Sequence, residues 1–497
     1  MALLGVDAGS SGIKAVIFKE NGIVISSGLK NYQTLTIDFS RAEVDPEVFM
    51  DAFFQAVISA SCQTKEKIEA MAISSHGESF AALSPQGESI GNIILNSDNR
   101  AKTQTDFLIR ELGFEQLYKI TGVPPHPMFG LMKIMYGLQK GIYDQTTRFL
   151  NAGDFILFRL GLVPYTDYSL AGRMFGFDLS EKKYASDILN AAGIRENQLP
   201  SPIQAGSLIG TLSDEACACL GISKGVKVVV GGHDQACGAL GSGVITTGAS
   251  ISAGSYESIV CAEEKMHFEK TAQNFMLNYF CHVVPNTYGI MAFFPAGFAV
   301  RWVVDQMYDK EVLQSEGHSV YELLEAKLGA VIHPTGICFL PHLVGACNPH
   351  WDVRATGVIA GITLGVSKLE IYQAVFEGIA CELSQNISAL ESIGTQIHSC
   401  NISGNGSRSD FSVQLRASLI QKPINRLTTS EAVCQGAAML AGVGTKAFSD
   451  YEQAKTCMVH FKDSFSPDLD QREEYSHQMR QYENLFKNLE EYRGSIL

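Results

Sequence analysis

The chain has 497 residues, 46% of them hydrophobic and 18% charged, and a formal net charge of −14. That length exceeds one ordinary core and points to two domains. The acidic balance speaks against a general nucleic-acid or acidic-membrane binder, although a local site can still hold an anion through backbone amides or magnesium.

Residues 3–9 and 13–18 read as two strands about a tight glycine turn. Between them, Gly5-Val6-Asp7-Ala8-Gly9-Ser10-Ser11-Gly12-Ile13-Lys14 forms a candidate phosphate loop. Asp7 closes an apolar strand, where it is suited to hold magnesium through water. The amides and hydroxyls of Ser10 and Ser11 can face phosphate oxygens, and Lys14 adds positive charge. An ordinary hairpin with a Gly/Ser turn is the structural alternative. No GK[ST] follows, so this is not a Walker loop.

Further along, Cys217 and Cys219 lie in an alanine-rich run that reads as helix, where residues two apart face different ways. The twelve cysteines show no CxxC pair and no zinc-like cluster, the pattern of reduced thiols in a cytoplasmic protein. No leader-like segment is read at Met1–Val6. The longest apolar stretch, residues 288–300, contains Pro295 and Gly297 and is too short to span a bilayer.

A second apolar strand, Val226–Val230, ends in Gly231-Gly232 and presents His233, Asp234 and Gln235 before a helix. Polar side chains at that place meet the ligands that collect beyond the carboxyl ends of strands. Phosphoryl transfer to a hydroxyl needs a carboxylate to orient it and accept its proton, and Asp234 is the candidate. Gln235 suits a neighbouring hydroxyl. Asp234 as a helix cap is the alternative, and His233 reads as a structural histidine at least as readily as a catalytic one. A boundary is expected within residues 241–248, dividing the chain into 1–245 and 246–497. Beyond Asp468, Tyr475, Met479, Tyr482, Phe486 and Leu489 form one apolar helical stripe, expected to pack back on its own domain.

The Asp7–Lys14 loop is similar to the phosphate hairpin of the actin-like ATPase superfamily. Gly357-Val358-Ile359-Ala360-Gly361-Ile362, followed by residues 370–378, resembles the C-terminal signature of FGGY carbohydrate kinases at every constrained position. Residues 336–352 are similar to that family's PYLxGERxPxWD stretch, with Ala346 and Cys347 in place of its charged pair. Residues 401–417 resemble its adenosine segment and 435–438 its alanine-rich helix. Residues 252–257 resemble its second phosphate loop.

The resemblance implies an α/β fold of two actin-like (ribonuclease H-like) domains, with ATP, magnesium and sugar in the cleft between them. It places Asp7, Ser10 and Ser11 on the first phosphate loop and Asp234 as the catalytic aspartate. Gly254 and Ser255 fall on the second phosphate loop, and Gly404, Asn405 and Gln414 on the adenosine pocket.

The sugar motifs are mixed. Ile73-Ser74-Ser75-His76-Gly77-Glu78-Ser79 stands where xylulose kinases show SGQMHG and glycerol kinases show QRET. Glu78 falls on the latter's glutamate, and Gly77 replaces its arginine. A carboxylate can accept from two vicinal hydroxyls, which makes Glu78 a candidate clamp; a solvated loop glutamate is the alternative. Asp98 and Arg100 match the WNDxR region without its tryptophan, and Asp234-Gln235 resembles the glycerol kinase pair. Residues 124–140 and 166–171 look closer to pentulose kinases. A pentulose such as xylulose or ribulose is the leading substrate, with glycerol or erythritol second. A non-metabolic actin-like ATPase or regulatory pseudokinase is the alternative of another class. A monomer and a homodimer both stay open.

Overall fold

Two sheets of one design carry the architecture, and in the first the central strand Ala2–Ala8 is apolar on both faces up to Asp7. The computed structural model describes residues 2–38, 40–266, 270–309, 319–328 and 333–495. In the first sheet, Ala2–Ala8 pairs antiparallel with Gly12–Lys19 and parallel with Ile68–Ser75, which runs parallel to Lys227–His233. Val24–Asn31 and Leu208–Thr211 form its edges.

The second sheet repeats the pattern. Ala249–Ala253 pairs antiparallel with Tyr256–Glu263 and parallel with Cys400–Ser403, itself parallel to Ile424–Leu427. Tyr288–Pro295 takes the place of Val24–Asn31, and Asn278–Cys281 is added outside it. Phe461–Phe465 closes the other edge. This is the doubled actin-like arrangement that the resemblance implies. No helix among the described residues is long and apolar enough to cross a membrane.

Leu3, Leu4, Val6 and Val228–Val230 are buried, as strands covered on both faces require. Helix Pro46–Ser61 covers part of the first sheet. Asp45 caps it by accepting the amides of Glu47 and Val48, and proline opens its first turn. Its Phe49 and Phe53 are fully buried, each stabilising the packing by about 1.5–3 kcal/mol. On the second sheet, helix Lys368–Ser392 starts with a Ser367–Glu370 capping box. The stripe near the C-terminus does fold back. Helix Arg472–Asn488 buries Tyr475, Tyr482 and Phe486, and the Tyr482 hydroxyl donates to Glu382 at 2.6 Å. All twelve cysteines are free, with Cys217 buried and Cys219 exposed.

Helix Ala432–Gly444 follows a strand of the second sheet yet packs on Ala2–Ala8 of the first. A Cβ on Gly5 would lie 1.8 Å from the Cys434 carbonyl oxygen. The same helix meets Asp234–Gly241 backbone to backbone: Cβ atoms on Gly241 and Gly436 would each stand 1.9 Å from a carbonyl oxygen of the other helix. Around this contact one apolar cluster joins Leu3 and Phe18 to Val260, Phe280 and Met291 of the second sheet. Gly5→Ala is therefore expected to lower the unfolding free energy by about 3 kcal/mol, the upper end of overpacking costs. Urea denaturation measures it, and an unchanged midpoint would contradict the close packing.

Candidate functional site

Three parallel strands of the first sheet end at one level. Ala2–Ala8 ends just past Asp7, Ile68–Ser75 leads into His76-Gly77-Glu78, and Lys227–His233 leads into Asp234. Asp7 stands opposite Ser74, and Ser75 opposite both Ala8 and His233. The strand read over Val226–Val230 thus continues through both glycines. Val230 pairs with Ile73 and His233 with Ser75, so three residues on one strand advance the pairing by two. A Cβ on Gly231 would fall 1.9 Å from the Ile73 carbonyl oxygen, so this bulge needs glycine.

The bulge sets Asp234 at the start of helix Asp234–Gly241, where no side chain caps the helix and His233 holds the cap position. Asp234 Oδ1 accepts the Gln235 amide at 2.6 Å and lies 3.1 Å from His233 Nε2. The His233 amide donates to Ser169 Oγ at 2.8 Å, and that hydroxyl donates to the buried Asp167. Burial pushes the Asp234 carboxyl up to about 8, with Asp7 and Glu78 adding to the rise. Burial likewise lifts Asp7 to about 7; Glu431 adds to this and Lys14 opposes it. His233 is held well below the ordinary histidine range, first by burial and then by Arg173 and His76. Acids that feel one another across a desolvated space are a frequent mark of functional sites.

The phosphate turn is closed by the Gly9 amide on the Gly12 carbonyl at 3.0 Å and by Tyr32, whose hydroxyl donates to the Gly9 carbonyl at 2.5 Å. Ser10 is half-buried and Ser11 exposed on this turn. Lys14 does not stand free, because its Nζ lies 2.6 Å from Glu431 Oε1. Asp7 Oδ1 is buried without a hydrogen-bond partner. No group of three or more His, Cys, Asp or Glu able to hold a metal occurs among the described residues. Asp7 therefore fits an ion that keeps most of its water and phosphate ligands.

In the second half, Gly254 and Ser255 form the exposed tip between Ala249–Ala253 and Tyr256–Glu263. Gly404 presses on the end of that hairpin, and Asn405 beside it is exposed. Gln414 spends its amide on the Ser466 carbonyl at 2.9 Å and Ser418 Oγ at 3.1 Å. A cavity of about 50 Å³ brings Asp234, Gln235, Ser252, Ser403 and Gly404 together. In it, Gln235 Oε1 accepts from Ser258 Oγ at 2.6 Å, so Gln235 reaches the second half. A wider cavity of about 840 Å³ beside Trp351 and Phe486 contains none of these residues.

Glu78 is buried and ion-paired with Arg173, so it is no solvated loop residue. Asp98 and Arg100 sit differently from what the motif led us to expect. Arg100 bonds both Asp98 oxygens and, at 2.6 Å, Glu43, while Asp98 accepts the Ala42 amide at 2.9 Å. Asp98 has no exposed side-chain surface, and both side chains are engaged with each other, Glu43 and the Ala42 amide. The buried Lys133 lies in the fields of both Asp98 and Glu78 and donates to the Leu95 carbonyl at 2.7 Å.

Sequence reasoning missed Arg173 and Glu431. Arg173 stands two residues beyond the 166–171 run, and Glu431 just ahead of the alanine-rich helix. Their partners lie far away in the chain, and neither residue type signals such a role alone.

Comparison with known proteins bears on the whole chain. The family model for the N-terminal domain of the FGGY family of carbohydrate kinases matches residues 2–241, and that for its C-terminal domain matches 251–445. Xylulose kinase of Bacillus subtilis is 24% identical, covering 99% of this chain and 98% of the relative. Gluconokinase of the same organism is 25% identical, covering 98% and 96%. The crystal structure of ligand-bound xylulose kinase from Lactobacillus acidophilus superposes with a TM-score of 0.88 at 22% identity, covering both chains completely. With both domain models matched in order, the chain belongs to the FGGY family of carbohydrate kinases and is a sugar kinase.

Proposed function

We propose that this sugar kinase transfers the γ-phosphoryl group of ATP to a hydroxyl of a pentulose such as xylulose or ribulose. The observation that carries the reading is Asp234, set by the bulge at a strand end within the fields of Asp7 and Glu78. Its raised proton affinity suits a base that accepts the hydroxyl proton as the oxygen attacks phosphorus. Glu78 contacts sugar hydroxyls, and Gln235 helps to position the same substrate. Ser10 and Ser11 hold phosphate oxygens opposite Gly254 and Ser255, with Gly404 and Asn405 beside the nucleoside. Asp7 would hold magnesium largely through water, and that ion would neutralise phosphate charge. We place the domain division at 245/246.

The xylulose kinase relatives support a pentulose, and the gluconokinase relative makes a sugar acid the comparison that matters. A polyol such as glycerol or erythritol is the second reading, favoured by the glutamate at position 78. A coupled ATPase screen over ketoses, polyols and aldonates tests them; pentuloses are expected to give the highest kcat/KM. Turnover confined to polyols would overturn the pentulose assignment.

Asp234→Asn is expected to lower kcat by about 100-fold or more with little change in KM for ATP. Near-normal turnover in a folded variant would remove Asp234 from the base role. The same variant reports on burial. Because the folded carboxyl titrates near 8 against an ordinary 3.8, ionising it costs stability progressively as pH rises from about 4 to about 8. Asn removes that cost. Its stability advantage over the parent should therefore be absent below pH 4, grow through the window and stay level above it. A difference that ignores pH, read by denaturant titration, would contradict the shift.

A further inference from the structure

Glu78 and Arg173 are each 3% exposed. Arg173 donates both Nε and Nη2 to a single carboxylate oxygen, Glu78 Oε1. Its Nη1 donates to Asn278 Oδ1 at 3.3 Å, and its guanidinium carbon lies 5.1 Å from the centre of the Phe129 ring. Asn278 belongs to the second sheet, so the pair is tied across the two halves. Glu78 takes a left-handed backbone with φ of 61°, a conformation that strains a non-glycine residue. Gly77 makes the arrangement fit: a Cβ there would lie 2.8 Å from Arg173 Cβ and 2.9 Å from its Cγ. The arginine missing from the sequence motif at position 77 is thus answered by a guanidinium arriving from the end of helix Tyr168–Arg173.

We propose that Arg173 is a specificity-determining residue, which makes Glu78 one half of an internally neutral clamp that accepts uncharged polyhydroxyl substrates and rejects sugar acids. The inference rests on the reading of Glu78 as a sugar contact. Both Arg173 contacts fall on Oε1, which leaves Glu78 Oε2 to accept from hydroxyls. A sugar carboxylate entering the same place would need an unspent cation, since an unpaired buried charge is costly. The cations nearby are engaged: Arg173 by Glu78 and Asn278, Lys133 by the Leu95 carbonyl between the fields of Asp98 and Glu78, and Lys14 by Glu431.

Charge arithmetic gives the test, with kcat/KM measured for the best ketose and for aldonates of similar length. Glu78→Gln leaves the guanidinium unpaired. Ketose KM should rise about tenfold, as expected for a lost charge-assisted contact, while aldonate kcat/KM rises. Adding Arg173→Met to Glu78→Gln makes the site neutral again and should erase the aldonate gain, with ketose KM still raised. This double variant buries no lone charge, so it stays informative where Arg173→Met alone fails to fold. If Glu78→Gln weakens ketose binding and opens nothing to aldonates, or if the gain survives in the double variant, the role of Arg173 is overturned and the Glu78 contact stands. If Glu78→Gln leaves ketose and aldonate kinetics both unchanged, the sugar contact itself falls, and the inference with it.

Discussion

Helix Ala432–Gly444 is met by backbone in two places: Gly5 approaches it at Cys434, and Gly241 and Gly436 press it against the helix that opens with Asp234, each at a distance no side chain allows. The helix that follows Glu431 is thus held between the first strand of the chain and the helix that opens with Asp234. One helix continues the first sheet and the other continues the second, so this contact sets how the two sheets face each other. The Lys14–Glu431 bridge and the small cavity shared by Asp234, Gln235, Ser252 and Gly404 join the same two halves.

Within that frame, the site concentrates negative charge in little water. Asp7 and Asp234 are desolvated, Glu78 is buried, and Asp234 feels the charges of the other two. Proteins tolerate such an arrangement where a ligand completes it. The division of cations is uneven. Arg173 pairs with Glu78, also donates to Asn278 and acts on Asp234 through its field; Lys14 is shared with Glu431, and Asp234 accepts the Gln235 amide beside the His233 imidazole. The Glu78–Arg173 pair is thereby neutral in itself.

Support comes from residues that touch no reactive group. Ser169 and Asp167 hold the His233 backbone, and their short helix ends in Arg173. One local motif thus steadies the strand that leads to Asp234 and supplies the partner of Glu78. Asp98, Arg100 and Glu43 form a second brace, joined to the site through the field of Lys133.

Local physics made much of this readable from the chain alone. An apolar run ending in Asp and a glycine turn specifies a strand and a tight hairpin whatever surrounds it, and Asp7 to Lys14 folds that way. The run before Gly231, the alanine-rich helix and the stripe from Tyr475 to Leu489 are legible for the same reason: periodicity and turn chemistry act over a few residues. Family membership was legible because motifs recur in order. Tertiary structure alone decided the rest. Arg173 finds Glu78 across 95 residues of chain, and the space for it exists because Gly77 has no side chain. Asp98 and Arg100 match a sugar motif, yet their charges are spent on each other and on Glu43. A residue type states which bonds it can make; which it does make depends on what the fold brings within about 3 Å, and that distance is set by packing remote in sequence.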